Sequence, residues 1–371
     1  GRFHTDWLNM MYPRLKLARN LLREDGVLLV SIDDSELSSV AKLCAEVFGE
    51  ENGKTMLVWQ KSNKPLNRSD DGFSSNTEYI LVYSKSGVVS LKGIPISAEH
   101  LKAYRNPDDD PRGRWIQTPL FLRTNSNKPK ELKLPWNGEL RTEKWFVSQQ
   151  TLDRLWSENR IWLGKDGTSE VVYKKNFLSE KDSEGMVPTN LLLAEKVGFS
   201  RNGTEDFSAL IPEVEFPHPK PVSLIKYLCE QTTNAGDVVL DFFAGSGTTG
   251  QAIMEQNLTC GSYCRYILVQ LPELLDLDDN AQAAAAAYCD QLGKPRTIAE
   301  LTKERLRRAG AKIHAEWEAK QKATAEQADL LNPAPAAGER RAPDVGFRVF
   351  KLASSNIREW DPQRDRLAES L

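Results

Sequence analysis

The chain has 371 residues, 40% of them hydrophobic, and a formal net charge of −3. That length holds two or three domains, and the apolar share suffices for a sizeable core. No apolar run is long enough to span a membrane, the opening residues are not expected to be a signal peptide, and the near-balanced charge does not by itself advertise a nucleic-acid binder.

Residues 1–95 read as α/β. Leu8 to Leu22 carries apolar residues at helical spacing, and Pro13 predicts an early interruption, suited to the first turn of a second helix. Asp25-Gly26 ends that stretch. Val27–Ile32 is a continuous apolar run, the pattern of a strand inside a parallel sheet. Ser35 to Phe48 predicts a helix capped by Asp34 or Ser35, and Thr55–Gln60 and Tyr79–Tyr83 predict further strands. Between those strands, Lys61–Asn76 is polar and aperiodic. It reads equally as a surface loop or as a binding loop beside the sheet edge.

Residues 96–215 change character, with turn signals such as Asn106-Pro107-Asp108-Asp109-Asp110-Pro111-Arg112-Gly113. Short β pieces and isolated helices are expected in this insertion. Residues 111–177 carry 13 Lys and Arg against 7 Asp and Glu, a local basic excess of the kind that meets phosphates. Trp115, Trp136, Trp145, Trp156 and Trp162 also fall there, most of them expected in a small core.

Residues 216–275 return to α/β. A helix is predicted over Val222–Gln231, a strand over Val238–Asp241, a helix from Thr248 and a strand over Tyr266–Leu271. Asn280–Ala287 reads as an alanine-rich helix and Thr297–Gln327 as a long charged one. Its Lys303-Glu304-Arg305-Leu306-Arg307-Arg308 cluster fits a solvated helix face better than a set of phosphate contacts. Leu330–Ala342, rich in Ala and Pro, reads as a linker, and Val345–Leu352 as a short β segment. Five cysteines are scattered. Cys260 and Cys264 are the only near pair, and no second pair or nearby His completes a metal site; with an odd count and no disulfide framework, a reducing cytoplasm is expected. Gly1-Arg2-Phe3-His4 carries no initiator Met and looks like the middle of a longer protein.

The most informative segment is Asp241-Phe242-Phe243-Ala244-Gly245-Ser246-Gly247-Thr248-Thr249-Gly250. A strand feeds a glycine turn that opens a helix. Gly245 and Gly247 can take positive φ and admit a ligand close to the backbone, and the free N–H groups of the helix start face whatever polar or anionic group sits there. A nucleotide-like cofactor is the natural occupant. The turn is not a P-loop, since no Lys follows the second glycine.

Asp-x-Phe-x-Gly-Ser-Gly-Thr-Thr resembles the S-adenosylmethionine motif of amino-methylating (N4/N6) DNA methyltransferases. Phe216-Pro217-His218-Pro219-Lys220-Pro221 is similar to that family's segment upstream of the cofactor turn. The stretch from Trp7 to Arg19 is similar to the helix after its catalytic loop. Gly26–Asp34, Glu78–Lys85 and Asp344–Leu352 resemble further parts of the same proteins. The strongest likeness is to the modification subunit of type III restriction systems, which are adenine-N6 methyltransferases.

The resemblance implies an α/β fold, with a Rossmann-like methyltransferase sheet in two sequence halves and an inserted mixed α+β recognition domain. The domain boundaries expected are a catalytic half over 1–95, a target-recognition insertion over 96–215, a cofactor half plus charged helix over 216–329, and a linker with β extension over 330–371. It implies S-adenosylmethionine as cofactor, bound by Lys220, Asp241, Phe242, Phe243, Gly245, Ser246, Gly247, Thr248 and Gln270. Whether Gln270 or Glu273 accepts from the ribose hydroxyls is left open by the residues. Implied partners are double-stranded DNA, a second modification subunit and a restriction nuclease/helicase subunit, all in a prokaryotic cytoplasm.

Amine methylation in this family needs a base out of the helix stack and acceptors for the amine hydrogens, supplied by an Asp-Pro-Pro-Tyr loop. Pro-Pro does not occur in this sequence. The family places the loop upstream of the segment that Trp7–Arg19 matches, so the chain alone is expected to bind cofactor and to turn over poorly. Cytosine-N4 methylation, a solitary methyltransferase, or a non-catalytic nucleic-acid-binding module are the alternative expectations.

Overall fold

Ile80 and Leu81 are neighbours in sequence but belong to different cores, because successive side chains of a strand point to opposite faces. Their strand is one element of a computed structural model that describes residues 4–63, 73–87, 91–94, 96, 98–122, 129–181, 185–331 and 342–352. The chain divides into two units, Gly1–Leu91 with Thr189–Leu371, and Lys92–Pro188.

The first unit is α/β. Helix α1 (Thr5–Leu21) leads to strand β1 (Val27–Ile32), helix α2 (Leu37–Phe48), and strands β2 (Gly53–Gln60) and β3 (Thr77–Ser84). After the second unit come the short strand β4 (Leu191–Leu192), helices α3 (Ser200–Ser208) and α4 (Val222–Thr232), strand β5 (Val238–Asp241), helix α5 (Thr248–Cys260), strand β6 (Arg265–Leu268), and helices α6 (Ala283–Gln291) and α7 (Ile298–Leu331). One sheet has the order β1-β3-β2-β4 and so draws strands from both sequence halves. A second sheet pairs β5 with β6 in parallel, Val238 opposite Arg265.

Helices cover both faces of the larger sheet. Leu81 and Leu28 pack with Met11 and Leu15 of α1 and with Val40, Cys44 and Phe48 of α2. On the other face Ile80 packs with Trp59, Leu192, Val197 and the α4 residues Leu224 and Leu228. Among the described residues, no helix is long and apolar enough to cross a membrane.

Several sequence expectations change here. β1 is an edge strand, antiparallel to β3 with Val27 opposite Ser84, not an interior parallel strand. Its apolar run reflects two covered faces rather than strand direction. Pro13 does not interrupt α1, which runs unbroken through it. An interior proline costs a helix about 3 kcal/mol, and burial of Met11, Leu15 and Ala18 along one face offsets that. Neither Asp34 nor Ser35 caps α2. Its N-cap is Glu36 without a side-chain bond, and the Asp33 carboxylate instead accepts from the Ser35 N–H at 3.1 Å.

The alanine-rich helix begins at Ala283, later than expected, and β6 ends at Leu268 rather than Leu271. Residues 345–352 form no ladder. Val345 and Phe347 pack instead against Met254, Leu306 and Ile313. Most of the Lys61–Asn76 loop and the 332–341 part of the linker lie outside the described residues.

The second unit spans Lys92–Pro188, against the 96–215 insertion expected. Residues 189–215 sit in the α/β unit because β4 pairs with β2 and Phe207, Ile211 and Val214 join a core with α6 and α7. The second unit is mixed α+β. Strand 115–119 pairs with 173–177, which pairs with 161–162; strand 140–145 pairs with 121–122 and 130–133, all antiparallel. Helix Gln149–Ser157 is capped by Ser148. The core is Leu120, Phe121, Leu132, Leu134, Trp145, Leu152, Leu155, Ile161 and Val172. Trp115 is also buried and stacks edge-on with Trp162 at 5.2 Å.

Beside that core lies an internal charge cluster. The Lys175 side chain is 2% exposed, pairs with Asp108, and reaches Asp110 at 3.0 Å. Arg112 donates to the same Asp110 carboxylate at 2.8 Å, and this bond holds Asp110 well below the ordinary carboxylate range. Lys175→Ala leaves two carboxylates short of a partner and is expected to destabilise this unit by about 3 kcal/mol, read by denaturant melts followed through tryptophan fluorescence. Asp110, with its depressed folded value, stabilises fully above its unfolded pKa of roughly 4. The stability gap between the parent and Asp110→Asn therefore closes as pH falls from 5 toward Asp110's folded value; a gap of constant size across that range contradicts the assignment.

Candidate functional site

The turn between β5 and α5 is closed by its own side chains. The Asp241 carboxylate accepts from the Phe243 N–H at 3.1 Å and from the Thr249 hydroxyl at 2.6 Å, so it bridges strand end and helix start. Gly245 and Gly247 both have positive φ, at 49° and 83°, which glycine adopts without the strain a Cβ brings. The Gly247 N–H donates back to the Ala244 carbonyl at 2.7 Å. Phe242 and Phe243 lie with ring centres 5.2 Å apart, and Phe243 is 52% exposed beside the turn. An exposed phenyl ring next to free helix N–H groups offers an apolar face and polar donors together.

The two glycines face different surroundings. A Cβ on Gly247 would stand 2.9 Å from the Thr302 Cγ2 of α7. A Cβ on Gly245 would meet only the Phe243 carbonyl, at 3.8 Å, so that side of the turn is open. Gly250 has a third role. A Cβ there would stand 2.6 Å from Leu306, so this glycine lets α7 lie directly on α5.

Gln270 lies two residues past β6 and accepts from the Gly245 N–H through Oε1 at 2.8 Å. Its acceptor thus braces the turn. Glu273, the other candidate for the ribose, is exposed.

Lys220 enters from the 216–221 loop. Gly203 of α3 admits that loop, since a Cβ there would be 2.0 Å from the Pro219 carbonyl. The Asp206 carboxylate accepts from the Val222 N–H at 2.9 Å and so caps α4. The Lys220 carbonyl accepts from the Thr248 hydroxyl at 3.3 Å, which joins the loop to the turn. The Lys220 ammonium itself is paired with Glu78 of β3 and lies 5.2 Å from the Trp59 ring centre. A cofactor carboxylate would have to compete with Glu78 for it. His218 is exposed, with φ of 49°.

Arg305 was not among the sequence candidates, and the Lys303–Arg308 cluster is not a solvated face. Arg305 is fully buried, its Nη1 donating to Ser246 Oγ at 2.6 Å and Thr248 Oγ1 at 2.8 Å. Arg308 donates to the Leu210 carbonyl and pairs with Glu304. A signal existed in the spacing. Leu301, Arg305, Ala309 and Ile313 recur every fourth residue, and all four are buried. Charge density hid that stripe.

The turn is thus a strand–glycine turn–helix cradle on an α/β sheet, with one open side and an exposed aromatic ring, and is the candidate cofactor site of this chain. The DNA methylase family model (N6_N4_Mtase) matches residues 2–269, and the chain belongs to that family. It is 33% identical over 366 residues to the type III restriction-modification enzyme StyLTI Mod subunit of Salmonella typhimurium, covering 96% of this chain and 50% of that protein. To the EcoP15I Mod subunit of Escherichia coli it is 27% identical, covering 83% of this chain and 51% of that one. The chain spans about half the length of these curated relatives. Among solved structures, the M1.HpyAVI–SAM complex matches 80% of this chain and 82% of its own at 15% identity and a TM-score of 0.35.

The contrast between the two glycines is testable. Gly245→Ala and Gly247→Ala both force alanine into left-handed backbone, at about 1 kcal/mol each. Only Gly247→Ala also pushes on α7, so its thermal midpoint falls clearly below that of Gly245→Ala. Equal midpoints would mean that α7 does not press on the turn.

Proposed function

We propose that this chain is the methyltransferase part of a type III modification subunit, which transfers a methyl group from S-adenosylmethionine to adenine N6 in double-stranded DNA. The observation that carries the reading is the family match over residues 2–269, which spans the glycine turn. The Mod-subunit relatives favour adenine and a restriction nuclease partner. A second copy of the modification subunit is part of the same proposal.

The residues present fit the cofactor. The open side of Gly245 is a cradle that a Cβ would enter, and the first N–H groups of α5 with the Ser246 hydroxyl can meet the polar end of an amino-acid moiety. Phe243 presents a ring to the adenine. Gln270 holds the Gly245 amide in place, and the exposed Glu273 is the carboxylate we assign to the ribose hydroxyls. Asp241 and Thr248 shape the turn and need not touch the cofactor. Lys220, held by Glu78, acts through the position of its loop. When bound, the cofactor supplies an electrophilic methyl on a sulfonium. The chain's contribution is to hold that group rigidly, since methyl transfer depends on alignment with the attacking nitrogen.

The Lys92–Pro188 unit is proposed to choose the DNA sequence, on the family resemblance and the basic excess of residues 111–177. Phosphate contacts from that excess would make binding weaken steeply with salt.

Two experiments address these readings. Gly245→Val projects a side chain into the open side, where its Cβ meets only the Phe243 carbonyl at 3.8 Å, and is expected to abolish S-adenosylmethionine binding in calorimetric titration of the full-length protein. Unchanged affinity removes the turn from the site. Exchange of residues 92–188 with those of a relative of different specificity should carry the new methylation pattern with it. A pattern that stays with the α/β unit rules out the assignment.

A further inference from the structure

Arg305 is an expensive residue in its place. Its side chain is fully buried and, among the described residues, pairs with no carboxylate. Nε donates to Gln251 Oε1 at 3.0 Å and Nη1 to the two turn hydroxyls, while Nη2 is buried without a hydrogen-bond partner. Its guanidinium lies 5.6 Å from the Phe207 ring centre. It also sits at the N-terminal end of α5, where the helix dipole is itself positive and disfavours a cation. A residue chosen for packing alone would be apolar here, since unpaired buried charge is costly.

The hydrogen-bond directions suggest what the charge does. A guanidinium only donates. Ser246 Oγ and Thr248 Oγ1 must therefore accept from Arg305, which leaves their own O–H groups to act as donors. Thr248 has the Lys220 carbonyl as acceptor at 3.3 Å. Ser246 then donates to Thr248 Oγ1 at 3.1 Å, a neutral bond that its hydroxyl can exchange for one to an anionic ligand. One helical turn earlier on α7, the Thr302 hydroxyl donates to the Gly245 carbonyl at 2.5 Å. So α7 holds the turn at Gly245, Ser246 and Thr248, and brings up behind it a positive charge that Asp206 and Glu255 offset only at a distance, without an ion pair.

We infer that Arg305 is a positioning residue for the cofactor turn, which orients the Ser246 hydroxyl as a donor and biases the turn toward the anionic, carboxylate end of the bound cofactor. This rests on the reading of the turn as an S-adenosylmethionine site. Of the groups on that cofactor, only the amino-acid carboxylate is negative. The bias therefore acts on ligands that carry the carboxylate and not on those that lack it.

The test compares two ligands on the full-length protein by calorimetry: S-adenosylmethionine, and 5′-methylthioadenosine, which lacks the amino-acid portion. Arg305→Met removes the charge and all three donors but keeps much of the volume. It is expected to weaken S-adenosylmethionine about tenfold and to leave 5′-methylthioadenosine within about twofold. The thermal midpoint of the free protein is expected to fall modestly, because the buried Gln251 Oε1 and the two hydroxyls lose their donor; that loss by itself does not distinguish the two ligands. Equal weakening of both ligands means a merely structural role and overturns the inference, as does unchanged S-adenosylmethionine affinity. If Arg305→Met does not fold, Arg305→Lys serves. It keeps the charge but cannot reach both hydroxyls and Gln251 at once, so it should weaken S-adenosylmethionine selectively and by less. A parent protein that binds no S-adenosylmethionine overturns the reading of the turn and this inference with it. A parent that binds, with variants that bind as tightly, overturns this inference alone.

Discussion

The Asp241 carboxylate reaches across the turn, from the Phe243 amide at the end of β5 to the Thr249 hydroxyl in the first turn of α5. It is the short rigid link on which the site depends. With strand end and helix start tied together, the intervening Ala244–Gly247 segment must reverse within a few residues, and two of its positions take positive φ. That conformation leaves one side of the turn free of side-chain atoms. The free side is where a ligand can approach the backbone.

Three other elements support this link from outside. Gln270, beyond β6, holds the Gly245 amide. The 216–221 loop is fastened to Thr248 through the Lys220 carbonyl, and reaches that place only because Gly203 carries no Cβ. Helix α7 closes the back through Thr302 and Arg305. Gly247 and Gly250 let that helix come close, so the spacing of glycines serves two partners at once, one on the open side and one in the core. Gly250 completes the G-x-G-x-x-G spacing begun by Gly245 and Gly247, and it serves close packing rather than the open side.

The Lys92–Pro188 unit is organised differently. Among its described residues the longest helix has nine residues, and an apolar core built on small antiparallel sheets accompanies the buried Lys175–Asp110 pair, with Asp108 and Arg112 at its exposed rim. Arg112 also lies 4.2 Å from the Phe177 ring centre and Lys175 5.5 Å from that of Trp115, so aromatic faces help to house the cations. Part of the basic excess read from the sequence is therefore internal to the fold rather than available to phosphates.

Local patterns were legible in the sequence wherever one residue's chemistry sets backbone conformation. The strand Val238–Asp241, the glycine turn and the helix from Thr248 were all readable, because glycine, aspartate and threonine act there within a few residues of each other. Hydrophobic period alone could not decide strand direction, and β1 reads the same whether its neighbour is parallel or antiparallel. Pro13 announced a break that the packing of α1 overrode. Arg305 was hidden because its role depends on a turn some sixty residues away, and nothing in a charged helix shows which cation faces inward until the partner surface is in place. The sequence by itself determined the chemistry of the turn, since that is written in adjacent residues. Only the tertiary structure decided what stands behind it, since a buried charge, a close helix contact and a shared hydroxyl are relations between segments that the chain's order does not encode.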